Sequence, residues 1–228
     1  MKAFIIRLEE NSHSCDMAQD CFEQAVKFNL EPIFFKAING NDADLHYEQT
    51  GLFKKRKFKK GRIGVLGCFF SHYYLWNKCI ELDEAIIILE HDGYIIKSIT
   101  DDILDTFEDV LKLDRHDPYS KTYNEVILKE QDYDLDVIKY INPTPKDPKK
   151  LGTGNYFKGA YSYILKPQGA KKLVNWVKEN GHLPADQQIG DWVVDTKVTV
   201  PTLARLHPFY AEGNNISTAS LTANPELL

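Results

Sequence analysis

An α/β fold is predicted by three features of this chain. Short aliphatic runs alternate with helical stretches, one of those runs is apolar on consecutive positions, and no internal repeat breaks the order. The run is "IIILEHDGYI" (86–95), in which four aliphatic residues lead straight into Glu90-His91-Asp92-Gly93. Continuous rather than alternating apolarity marks a strand covered on both faces, as in parallel or mixed sheets.

The other elements follow in chain order. "KAFIIRL" (2–8) is a first strand, "CDMAQDCFEQAVKFNL" (15–30) a helix and "EPIFFKAI" (31–38) a second strand, closed by the turn pair Asn39-Gly40. "GVLGCFFSHYYLWNKCIELD" (64–83) has helical apolar recurrence, with Tyr73 and Trp76 on its core side. "TDDILDTFEDVLKL" (100–113) opens on a Thr/Asp cap signature and predicts an amphipathic helix. Residues 114–132 are polar and predicted irregular, "YDLDVIKYI" (133–141) a strand, and the proline-bearing 142–154 a loop. "YFKGAYSYILK" (156–166) alternates like a strand, and Pro167 opens a helix at the favoured first position. A short helix within 184–195 and extended chain over 198–210 complete the reading.

At 228 residues, with 43% hydrophobic and 27% charged side chains, the expectation is one soluble domain spanning 1–228. The net charge of −5 favours solubility and selects no partner. "MKAFIIRLEE" is too short in apolar residues for a signal peptide, and no window approaches a membrane span. The four cysteines show neither zinc spacing nor a dense disulfide pattern. Cys68 and Cys79 would lie about 16 Å apart along one helix, too far to bridge. A reducing cytoplasmic setting is the simple expectation, with peripheral attachment at the inner membrane face as its variant.

Ligands of open α/β sheets bind beyond the carboxyl ends of the strands, where residues 90–93 fall. Strand alternation would put Glu90 and Asp92 on one face and turn His91 away. Two carboxylates so placed can share a hard divalent ion, Mg²⁺ or Mn²⁺, which in turn binds phosphate oxygens. The plainer alternative is a polar strand end entering a turn at Gly93.

Around this strand the sequence "GCFFSHYYLWNKCIELDEAIIILEHD" resembles glycosyltransferase family 25, whose pattern reads roughly G-E-I-G-C-x-x-S-H-x-x-x-W and then I-L-E-D-D. "FIIRL", "KAING", "GAYSYILKPQGAKKLV", "PADQQIGDWV" and "LHPFYAEGNNIST" resemble further family segments, so the likeness runs from about residue 3 to 218. Three positions depart from the pattern. His91 replaces the middle Asp, Val65 stands where a Glu is usual, and "EENSHSCDM" lacks the expected arginines.

The resemblance implies a GT-A, Rossmann-like domain that transfers a hexose from a UDP-sugar with inversion, using Mn²⁺ or Mg²⁺. It implies Glu90 and Asp92 as metal ligands with a late histidine, His207, as a third. Ser71 and His72 would line the donor pocket with Glu90, and Arg7, Asn39 and Gly40 are further donor-site candidates. Asp186, in the P-x-D element, is the candidate general base, with a helix-start carboxylate as its plain alternative, and Asp191 is the reserve. The basic run 54–62, seven of nine residues Lys or Arg, is either a solvated loop or an anion site guiding an acceptor. Three readings follow: a transferase acting on a bacterial surface glycan such as lipooligosaccharide, the same fold glycosylating hydroxylated bases in DNA, and a non-catalytic nucleotide- or glycan-binding module.

Overall fold

The computed structural model describes residues 1–53, 63–116, 120, 122–141 and 155–211. The basic run 54–62, the loop 142–154 and the tail from 212 lie outside the described residues. The first strand and helix form where expected, as β1 (Lys2–Arg7) and α1 (Ser12–Lys27), and Asn11 caps α1 by accepting from the Ser14 N–H at 2.8 Å. β2 (Glu31–Lys36) is followed by a 3-10 turn (Gly40–Asp42), α2 (Ala43–Thr50) and the long helix α3 (Ile63–Leu82). The aliphatic run becomes β3 (Ile86–Glu90), and β4 (Gly93–Ile95) begins after a two-residue turn.

The remaining elements are β5 (Val110–Lys112), α4 (Tyr123–Lys129), β6 (Asp136–Lys139), β7 (Ser162–Leu165) and α5 (Pro167–Asn180). They end with α6 (Ala185–Gln188), β8 (Thr196–Val200), β9 (Ala204–Leu206) and α7 (Pro208–Ala211). The main sheet has the order β2-β1-β3-β7-β5-β8-β6. β1, β2, β3, β5 and β8 run one way and only β7 and β6 oppose them, so the sheet is mixed but mostly parallel in direction. The parallel β2-β1-β3 portion is its Rossmann-like half.

Both faces of β3 are covered, which explains its unbroken apolarity. Ile86 and Ile88 pack with Phe69, Trp76 and Leu173 under α3 and α5, while Ile87 and Leu89 pack with Ala18 and Cys21 of α1. All four cysteines carry free thiols. Among the described residues, no helix is long and apolar enough to cross a membrane.

The strand expected over 156–166 is confined to β7, the extended chain expected over 198–210 ends in α7, and two further segments differ more. The predicted helix over 100–113 is a 3-10 turn (Asp101–Thr106) followed by β5. Its apolar spacing is satisfied all the same, because Ile103, Phe107 and Leu111 bury in one core cluster. The sheet takes the second half, pairing β5 with both β7 and β8. Asp109 pins the junction: its buried carboxylate accepts from Lys172 Nζ at 2.8 and 2.6 Å and from the Asp195 N–H at 2.8 Å. Within 114–132, predicted irregular, Tyr123 and Ile127 bury one side of α4.

Candidate functional site

An open cleft lies at the carboxyl ends of β1, β2 and β3, walled by the first half of α3. Two glycines let that wall approach. A Cβ on Gly40 would stand 1.9 Å from the Ile63 carbonyl oxygen, and one on Gly67 would stand 2.4 Å from that of Ile38. Ser71 ties the same surfaces together, accepting from the Ile38 N–H and donating to the Gly67 carbonyl, each at 2.8 Å. Asn39 caps the 3-10 turn by accepting from Asn41 N–H at 3.0 Å. Gly40 and Asn39 therefore shape the wall, and Ser71 lines the cleft.

Glu90 lines the cleft where β3 ends. His72 Nε2 is 3.1 Å from its Oε1, and the Cys68 thiol donates to the same oxygen at 3.7 Å. Behind His72, its Nδ1 is 2.8 Å from the Tyr163 hydroxyl, which also accepts from Trp76 Nε1 at 2.9 Å. Burial works to raise the pKa of Glu90, but the hydrogen bonds from His72 and the Cys68 thiol hold it below the usual carboxylate range. Cys68, His72 and Glu90 bring three potential ligand atoms within 4.8 Å of one another.

Residues 91 and 92 form a turn rather than more strand. The expected alternation therefore stops at Glu90, and His91 lines the cleft beside it instead of turning away. Cys21 Sγ donates to the His91 carbonyl at 3.2 Å, fixing the turn against α1. Asp92 is half-buried, and its Oδ1 has no hydrogen-bond partner among the described residues. Burial, with the charge of Glu90 adding to it, pushes the Asp92 carboxyl up to about 8. Gly93 is required next, because a Cβ there would stand 2.2 Å from the Tyr161 carbonyl oxygen.

Asp186, on α6, shares this neighbourhood. Burial and the charge of Glu90 raise its carboxyl to about 6, while the Gln187 and Gly159 N–H groups and Lys112 oppose them. Gln187 N–H donates to its Oδ1 at 2.8 Å. Lys112 is buried; its ammonium donates to the carbonyls of Lys158 and Gly159 at 3.2 and 3.0 Å, bracing the segment that faces Asp186.

The other candidates are placed differently. His207 N–H donates to the Asp92 carbonyl at 2.8 Å, so the histidine does return to the turn. Its ring nitrogens are occupied, however: Nδ1 accepts from the Phe209 N–H at 3.2 Å and Nε2 lies 3.1 Å from Asp20 Oδ2. Arg7 follows Ile6, which pairs with Glu90 and lines the cleft, so its side chain emerges on the other face. There its guanidinium stacks 3.8 Å from the Phe34 ring centroid. Asp191 lies before the start of β8, the opposite end of the sheet from Glu90. It accepts there from Asn155 Nδ2 at 2.7 Å, from Thr196 Oγ1 at 2.5 Å, and pairs with Lys139 at 3.5 Å.

Sequence reasoning passed over Cys68, Tyr163 and Lys112. The spacing of Cys68 and His72, four apart on a helix, was available as a signal. Nothing local marks Lys112 or Tyr163, whose roles arise from sheet pairing.

Comparison with known proteins bears on the family of the chain. The family model described as glycosyltransferase family 25 (LPS biosynthesis protein) matches residues 1–189. A glycosyltransferase 25 family member of Aedes aegypti is 23% identical over 214 residues, covering 89% of this chain and 31% of its own length. One of Drosophila pseudoobscura pseudoobscura is 24% identical over 202 residues, covering 81% and 28%. The chain thus spans about a third of the length of these relatives. Among solved structures, mouse xyloside xylosyltransferase 1 in its apo form covers 82% of this chain and 80% of its own, at 11% identity and a TM-score of 0.38. The galactosyltransferase LgtC in complex with donor and acceptor sugar analogues covers 82% and 68%, at 12% identity and a TM-score of 0.39. Those two likenesses are too loose to reason from, but the family match covers most of the sequence, including β3 and its carboxylates. The chain belongs to glycosyltransferase family 25.

Proposed function

We propose that the protein is a metal-dependent, inverting glycosyltransferase of the GT-A type that moves a hexose from a UDP-sugar to a hydroxyl of a surface glycan of the lipopolysaccharide type. The observation that carries the proposal is the pair of half-buried carboxylates at the carboxyl end of β3. Asp92 Oδ1 lacks a partner among the described residues and the charge of Glu90 acts on it, an arrangement that a divalent cation would relieve. The donor set suits Mn²⁺ or Mg²⁺, with Glu90 and Asp92 as the residues that would hold it. When bound, such an ion supplies charge stabilisation to the departing diphosphate.

The chain's own residues account for the rest. Ile6, Ala37 and Gly67 line the open cleft beside Glu90, where the donor would lie. Asp186 serves as the base that takes the proton from the acceptor hydroxyl. A carboxylate with its pKa raised to about 6 is ionised at neutral pH, yet more basic than an exposed Asp. The family's description supports the glycan acceptor.

The test is a thermal-shift panel of UDP, GDP and CMP and their sugar conjugates, each with Mn²⁺ or EDTA, on wild type and Asp92→Asn. A ligand present at a hundred times its Kd adds about 2.7 kcal/mol to the folded state. A shift that requires both Mn²⁺ and Asp92 is expected with UDP conjugates. No shift with any nucleotide would sink the proposal, and sugar transfer to duplex DNA carrying hydroxylated bases would redirect the acceptor.

A further inference from the structure

We propose that Trp76, Tyr163 and His72 form a one-way hydrogen-bond relay that locks the proton of His72 onto Nε2 and aims it at Glu90 Oε1, making His72 a positioning residue and not a metal ligand. This rests on the proposed role of Glu90 as a metal ligand, although the direction of the relay stands without it.

The direction is dictated by proton inventory. Indole Nε1–H can only donate, so at 2.9 Å the Tyr163 oxygen must accept from Trp76. Tyr163 is completely buried, and among the described residues its own hydrogen has one further partner in reach, His72 Nδ1 at 2.8 Å. If Nδ1 carried a proton, two donors would point at the phenol oxygen and the phenol hydrogen would be buried without an acceptor. The other end selects the same tautomer: a bare Nε2 would set its lone pair against Glu90 Oε1 at 3.1 Å. Tyr163 therefore donates to Nδ1, and Nε2–H donates to the carboxylate.

The consequence falls on Glu90. His72 Nε2–H and the Cys68 thiol both converge on Oε1, whereas Oε2 receives no hydrogen bond from the described residues. The close group of Cys68, His72 and Glu90 is thus two donors around one acceptor. Oε1 is anchored to α3, and Oε2 is the oxygen presented to an ion. Hydrogen bonds of this kind behind a ligating carboxylate fix its orientation.

Two measurements test this. Ring ¹⁵N NMR of His72 in metal-free wild type should give a pyridine-like Nδ1 and a pyrrole-like Nε2. A protonated Nδ1 overturns the relay whatever the enzyme does. Mn²⁺ affinity is then compared in wild type, His72→Gln and His72→Leu. Gln keeps a donor near the Nε2 position and should bind close to wild type, whereas Leu should weaken binding about 10- to 100-fold. Equal losses in Gln and Leu would make His72 a ligand and overturn the proposal. Unchanged affinity in Leu, with only a lowered Tm, would reduce it to packing and overturn it too. Failure of the wild type to bind Mn²⁺ would instead remove the metal-dependent function and leave the tautomer result to judge the relay.

Discussion

Two ends of the sheet carry carboxylates in opposite condition. At the end of β3, Asp92 has an oxygen without a partner among the described residues and Asp186 sits in the field of Glu90, with both carboxyls pushed upward. Before β8, Asp191 is exposed and already held by Asn155, Thr196 and Lys139. The sequence places Asp186 and Asp191 five residues apart, yet the fold gives them different chemistry. A carboxylate that lacks neighbours is ready to bind a cation or take a proton, and one fully satisfied at the surface has little to gain from either.

The largest effect that would break this contrast is expected at Asp186. Asp186→Asn should lower kcat by about 10²- to 10⁴-fold, the usual contribution of a general base. The pH profile sharpens the point. A base must be deprotonated to act, so kcat/KM of the wild type should rise with pH through about 6 and level off above it. Asp186→Asn should lose that limb; a variant that retains both the limb and the rate would show that another group is the base.

Asp92→Asn should cost about 10²- to 10³-fold in kcat, in the range for loss of preorganised charge stabilisation, and turnover should depend less on Mn²⁺ concentration. Gly93→Ala probes the turn through stability. Its Cβ would collide with the Tyr161 backbone, so a loss of about 1–3 kcal/mol in denaturant unfolding is expected. The smallest effect belongs to the far end: Asp191→Asn should leave kcat/KM within about twofold and stability within about 0.5 kcal/mol, as for ordinary surface substitutions. A large kinetic loss there would erase the distinction between the two ends.

Much of this was legible in the residues, and the gaps have physical causes. The double-sided burial of Ile86 to Leu89 was written in consecutive apolar positions, and α5 was announced by Pro167. Residues 100–113 misled because their spacing specified which side chains bury without specifying the backbone path; pairing with β7 and β8 decided that. Within the candidate site, Glu90 and Asp92 were expected from the strand end, and Asp186 from the resemblance to the family's P-x-D element. The face taken by Arg7 follows from the register of β1 with β3, which no local pattern states. Tyr163 meets His72 only because β7 pairs antiparallel beside β3, under α3. Lys112 reaches its carbonyls only because β5 enters the sheet.

The small sheet of β4 and β9 adds a matter of timing. Gly93 pairs with Leu206, and His207 clasps the Asp92 carbonyl, so the turn bearing Asp92 is closed by chain made long after it. On the ribosome, β1 to β3 can assemble while that clasp is still unmade. The nascent protein would hold its Rossmann-like half before it holds a finished turn at Asp92, which would wait until the segment containing β9 has emerged.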